Sequence, residues 1–333
     1  MDQDALIAEL ERATKDREPV DAIVRRLAEP GADAAPGLVA AVALTDVIPF
    51  LNAPDSSTRY TAAQTVRAIG AGSGPVLAGI RRNGPSRLRR HALTALAVIG
   101  EADLLDERDR RALQRLIRVK AALDTPEALP DHQWIAVPGA TYEGLFEAMG
   151  LHDRIPCTLS MGLSAAENDS VDVTDPDGTR HTAYRVFVTP ELDGWRLVYA
   201  NTPLSPAVWK YTDVIERISA ACGQAQFFAQ DEQSDSMIWA VALDGVLRRR
   251  YWRNELPEWE GDPMDWEEPL TDEDHAEEHE PNATTEADTN GAAWALSLVP
   301  EDIDEDTTLR GHGWLAISRA GVGHTAFAGA LRI

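Results

Sequence analysis

His275 and His279 stand four residues apart among Asp272, Asp274 and Glu278. On a helix that spacing would set two imidazoles and nearby carboxylates around one metal ion. The flanking residues carry too little apolar surface to hold a helix or exclude water, so no metal site is expected beyond adventitious cation binding. His312, between Gly311 and Gly313, and His324 have side chains suited to proton transfer. No nucleophile in a strained turn and no carboxylate dyad accompanies them, and His132, His152 and His181 are scattered. Cys157 and Cys222 are too far apart for a CxxC metal motif or a disulfide framework, and both fall in apolar stretches that read as buried elements. Gly70-Ala-Gly-Ser-Gly74 has the glycine density of a phosphate-binding loop. It follows a helical pattern rather than a strand, so it reads as an inter-helix turn. Catalytic residues, metal and cofactor are all expected to be none.

The residues suited to binding are of two kinds. Arg81, Arg82, Arg87, Arg89 and Arg90 gather around one turn, and Arg108, Arg110, Arg111, Arg115, Arg118 and Lys120 follow in the next helical stretch. They form a candidate partner-binding stripe; the alternative is a solvated face whose arginines pair with Glu101, Asp103, Asp106, Glu107 and Asp109. Opposed to it is an acidic stretch. The formal net charge is −24, and Glu255 to Asp288 alone holds fifteen Asp and Glu with no Lys or Arg. Trp259 and Trp266, near its start, are candidate anchors for a partner.

A chain of 333 residues with 44% hydrophobic content is expected to form two domains. Thr61–Gly70 aligns with His91–Gly100 at an offset of thirty residues, each ending Ile-Gly and each preceded by an arginine, Arg59 and Arg89. Between them Gly74–Arg82 reads as the second helix of a pair, opened by Pro75 and closed by Asn83-Gly84-Pro85. The pattern, over about residues 45–123, resembles HEAT-type helical repeats, in particular HEAT-repeat proteins of high-GC bacteria without assigned chemistry. The resemblance implies an all-α array of stacked helix pairs over 1–125 that presents a face for protein or nucleic acid.

After Asp124–Pro130 the texture changes to short β-rich runs. Trp134–Val137 and Cys157–Met161 read as strands flanking a helix at Tyr142–Met149. Val171–Thr174, Ala183–Val188 and Trp195–Tyr199 read as strands joined by turns at Asp175–Gly178 and Asp193-Gly194. Val208, Tyr211, Ile215, Ile218 and Cys222 recur at helical spacing, so Pro206–Cys222 reads as an amphipathic helix ended by Gly223. A strand begins at Gln226, and Met237–Leu243 and Val246–Trp252 flank Asp244-Gly245, the strongest hairpin signal in the chain. Residues 126–333 are thus expected to be an α+β domain with a mainly antiparallel sheet, interrupted at 254–290 by a disordered or long surface loop.

The fold class expected is α+β overall, an all-α HEAT-like array followed by that domain. The function expected is a non-catalytic, cytoplasmic protein-interaction or regulatory module, immunity-like in binding a basic partner through the helical slab and the acidic loop. Two alternatives stand beside it: a nucleic-acid-binding protein autoinhibited by its acidic loop, and a metal- or small-molecule-dependent enzyme with a site between the domains. No run of eighteen apolar residues and no basic-then-apolar leader is present, so neither a membrane span nor a membrane partner is expected.

Overall fold

Two Asp-Gly pairs, Asp193-Gly194 and Asp244-Gly245, have positive φ at both residues, 44° and 87° in the first and 48° and 84° in the second. That is the twisted two-residue turn whose handedness matches flanking antiparallel strands. In the computed structural model each closes a hairpin, pairing Leu192 with Trp195 and Leu243 with Val246. The structure describes residues 47–52, 62, 66, 74–100, 104–166, 170–175, 177–200, 213–231, 236–253, 257–269, 285–286, 288–324 and 327.

These turns belong to a 12-stranded sheet whose paired strands all run antiparallel. Its strands are β1 (Gln133–Pro138), β2 (His152–Cys157), β3 (Ser170–Thr174), β4 (Arg180–Val188), β5 (Glu191–Leu192), β6 (Trp195–Tyr199), β7 (Gln224–Asp231), β8 (Ser236–Leu243), β9 (Val246–Arg253), β10 (Pro257–Glu260), β13 (Leu309–Arg310) and β14 (Gly313–Ile317). The main order is β10-β9-β8-β7-β1-β6-β4-β14-β2, with β3, β5 and β13 paired off this path. A separate ladder joins β11 (Glu268–Pro269) to β12 (Thr285–Glu286).

Register places one residue per strand in a transverse row on one face. Trp259 lies beside Tyr251, Tyr251 beside Trp239, Trp239 beside Phe228 and Phe228 beside Trp134. One step along the β1–β6 register sets Trp134 beside Tyr199, which pairs with Phe187, and Phe187 with Leu315. Cross-strand aromatic pairs of this kind contribute roughly 0.2–1 kcal/mol each beyond alanine. The Trp134 and Phe228 rings stack at 4.9 Å. The other face is mainly aliphatic, and α4 (Gly144–Ala148) and α6 (Asp213–Cys222) cover it with Leu145, Phe146, Ile215, Ile218 and Cys222.

The expected strand Cys157–Met161 ends at Cys157, and Leu159–Ala166 is helix α5. Thr158 decides this by capping the helix, its Oγ1 accepting the Met161 amide at 3.1 Å. Residues 206–212 lie outside the described residues, so only Asp213–Cys222 of the expected helix is observed. Within the stretch expected to lack structure, residues 257–269 form β10, a turn and β11.

The HEAT-like reading is overturned. The described residues contain seven α-helices in all, and they are dominated by the antiparallel sheet rather than by stacked helix pairs. Three helices precede it, α1 (Gly74–Asn83), α2 (Ser86–Gly100) and α3 (Glu107–Ala121). In the small-residue run that suggested a repeat, His91 through Ala97 are buried one after another, so this part of α2 buries its whole circumference, while Ser86, Arg87, Arg89 and Arg90 at its start are exposed. Of the matching segment Thr61–Gly70, only Ala62 and Val66 fall among the described residues, both buried. The chain divides into two compact units, Met1–Leu116 with Ala328–Ile333, and Ile117–Phe327.

Candidate interaction surface

The start of the acidic stretch is built onto the end of the aromatic row. Trp259 on β10 packs at 4.2 Å from Tyr251 and edge-on to Trp239 at 6.1 Å, and Trp266 reaches Trp239 at 5.4 Å. Two residues before Tyr251, and so on the same face of β9, Arg249 lays its guanidinium 4.3 Å from the Trp259 ring centre. Its Nε and Nη2 donate to the two carboxylate oxygens of Glu267 at 2.9 and 2.7 Å. The side chains are 2% and 0% exposed. Arg249 Nη1 also donates to the Gly261 carbonyl, and the Met264 amide donates to Glu267. Gly261 is required: its φ is +84°, and a Cβ there would lie 2.0 Å from the Arg248 carbonyl oxygen. A few residues on, β11 and β12 pair antiparallel, Glu268 opposite Glu286 and Pro269 opposite Thr285. The backbone at both ends of segment 270–284 is thereby held together. That segment carries six carboxylates and no Lys or Arg.

Trp259 and Trp266, the anchors expected for a partner, are thus brought together with Trp239 and Tyr251, each only partly exposed. The arginines of the expected ridge lie in the other compact unit. Arg81 pairs with Asp109 at 2.8 Å and donates to the Arg89 carbonyl, and Arg82 lies 3.9 Å from Asp106. Arg89 donates to the Gly84 carbonyl and Arg90 to His91, while Arg87 is exposed. The stripe is partly neutralised by the acids on and just before α3.

A second constellation was invisible in the sequence. On the aliphatic face of the sheet the Arg196 guanidinium stacks 3.9 Å from the Tyr142 ring centre, its Nη1 donating to the carbonyls of Thr189 and His312. Trp314 Nε1 donates to Tyr142 Oη at 3.2 Å, and Tyr142 hydrogen-bonds Glu143. Glu143 in turn accepts from Arg154 at 2.6 Å, whose guanidinium lies over both Phe146 and Trp314. Burial lowers the pKa of Arg196 and raises that of Tyr142; the Arg154 hydrogen bond holds Glu143 below the usual carboxylate range. Arg154 and Tyr142 both hydrogen-bond the Glu143 carboxylate, whose side chain is 58% exposed, and favour its ionised form. Residues 142, 154, 196 and 314 share no sequence motif, so only the sheet register reveals them.

Cys157 and Cys222 are buried free thiols. His312 packs edge-on against Trp314, and His324 hydrogen-bonds the Asp153 carbonyl through Nε2 at 2.6 Å. His181 contacts Asp175 at 3.0 Å, and Arg319 reaches the same carboxylate. His275 and His279 lie outside the described residues, as do Gly70 to Ser73 of the glycine-rich turn. Among the described residues no group of three His, Cys, Asp or Glu is placed to hold a metal ion, and no helix is long and apolar enough to cross a membrane. No family model, curated protein or solved structure matches this chain.

Proposed function

We propose that the protein is a binding module for a basic segment of another protein, with the acidic segment 270–284 as its recognition element. The observation that carries this reading lies at the two ends of the segment, where the enclosed Arg249–Glu267 pair and the β11–β12 ladder hold the residues that flank six carboxylates. Joining the ends of a loop reduces the conformational freedom it must lose on binding. A concentrated negative field also speeds encounter with a cationic partner. Trp259 and Trp266 serve here as aromatic packing at the end that precedes the segment.

The test uses the full chain and a fluorescein-labelled nona-arginine peptide, with anisotropy followed over a salt series. Replacing Asp272, Glu273, Asp274, Glu277, Glu278 and Glu280 by their amides is expected to weaken binding about tenfold or more and to flatten its salt dependence. Binding unchanged by the six replacements refutes the proposed role of the segment.

A further inference from the structure

Helix α7 (Thr289–Leu296) is capped by Asp288, whose side chain accepts the Gly291 amide. Thr289, Ala292 and Ala293 are its buried side, and Gln226 on β7 ties its end by donating to the Leu296 carbonyl at 3.0 Å. The other side is open. Gly291, Trp294 and Ala295 are exposed, and Trp294 is 78% accessible. Among the described residues it is the largest and most open of the exposed large apolar side chains, which otherwise are Phe50, Val119, Leu123 and Val246. Its neighbours on the open side, glycine and alanine, crowd the indole with nothing larger than a methyl.

One helical turn before Trp294, Asn290 donates to Glu301 at 3.3 Å. Residues four apart on a helix are side-by-side neighbours, so the indole stands next to the residue that touches the first carboxylate of a run. That run is Glu301, Asp302, Asp304, Glu305 and Asp306, all exposed. Its backbone is held in a turn in which Asp304 accepts from the Asp306 amide and the Asp304 amide donates to Thr307. The Asp193 side chain accepts the Thr308 amide and adds another exposed acid at the end of the turn. No salt bridge neutralises the five carboxylates among the described residues, and no Lys or Arg occurs in the sequence from 254 to 309.

We infer that the open side of α7, centred on Trp294 and bordered by the carboxylates of 301–306, is a docking surface for a Lys- or Arg-bearing segment of a partner protein. The indole face attracts a guanidinium or ammonium through its quadrupole, and the neighbouring carboxylates set the sign of charge that approaches. Tryptophan and arginine are among the residues most enriched at the energetic centres of protein interfaces. The inference rests on the reading of the chain as a binder of basic segments and locates a contact on a surface separate in sequence from 270–284.

The same nona-arginine peptide and the full chain test it at about 0.15 M salt. Trp294→Ala is expected to weaken binding fivefold or more with an unchanged circular dichroism spectrum and melting temperature, and Trp294→Phe to recover most of the loss. Glu301→Gln/Asp302→Asn/Glu305→Gln/Asp306→Asn, which spares the turn-forming Asp304, is expected to weaken binding and reduce its salt dependence. If wild type binds and Trp294→Ala binds within twofold of it, this surface is overturned. If that happens while the 270–284 amide variant loses binding, the wider reading survives alone; if Trp294→Ala loses binding and the 270–284 variant does not, the α7 surface stands alone. Wild type failing to bind at low salt overturns both.

Discussion

Arg249 and Glu267 face each other as a two-pronged pair, 2.9 and 2.7 Å apart at the two contacts, with almost no solvent reaching either side chain. They come from a strand and from the turn after β10, eighteen residues apart. Two charges removed from water gain from each other only in good geometry, and either one left alone is costly. The pair therefore acts less as a source of net stability than as a condition on how the acidic stretch enters and leaves the sheet.

Glu267→Leu or Arg249→Met alone is expected to destabilise the protein by about 3–5 kcal/mol, because each leaves a charge buried without its partner. The double variant is expected to cost less than either single one. Urea midpoints of the four proteins measure the coupling, and additive losses would show that the two side chains do not act as a pair.

Gly162 on α5 faces the Phe187 ring so closely that an added Cβ would sit 2.1 Å from it. Gly162→Ala is expected to cost about 1–3 kcal/mol or more through overpacking, read as a lower melting temperature. Adding Phe187→Leu is expected to recover part of that loss, since the smaller side chain makes room for the methyl. A melting temperature untouched by Gly162→Ala would show that α5 does not bear on the aromatic row.

Burial, chiefly, lowers the pKa of His324 to about 4, with Arg185 adding to the effect and the hydrogen bond to Asp153 opposing it. The unfolded value is 6.5, so below that pH the unfolded chain takes up a proton that the native imidazole refuses. Stability from this group is complete above pH 6.5 and is lost as pH falls toward 4, by about 2 kcal/mol after allowance for the part of the ring that meets solvent. Subtracting the pH profile of His324→Gln from that of wild type isolates the contribution. A difference that is flat from pH 7 to 4 contradicts the burial.

Cys157 and Cys222 are 0% and 2% exposed, and burial lifts both thiol pKa values. Native protein is expected to show no rapid reaction with a disulfide reagent, and both thiols to react once the chain is unfolded in denaturant. Fast native labelling of either would place it on an accessible surface.

How much of this could be read from the residues differs by range. The Asp-Gly turns are chemistry of two adjacent residues, and both form where that chemistry puts them. Ile215, Ile218 and Cys222 recur at helical spacing and are buried on α6. The Ala/Leu run of α2 illustrates the opposite case. Its periodicity says that the helix buries apolar surface but not what packs on it, and the described residues are dominated by an antiparallel sheet rather than by further helix pairs. Trp259 and Trp266, the candidate anchors, lie against the buried Trp239, which nothing near them in sequence announces.

Turn chemistry, strand alternation and the concentration of carboxylates after Arg253 were determined by the sequence by itself, since each depends on neighbours within a few residues. Only the tertiary structure decided that seven aromatic side chains from Trp259 to Phe187 line up across the sheet, that Arg249 finds Glu267, and that Tyr142, Arg154, Arg196 and Trp314 converge. Those outcomes depend on strand order and register, and a shift of one residue would send every side chain of a strand to the opposite face.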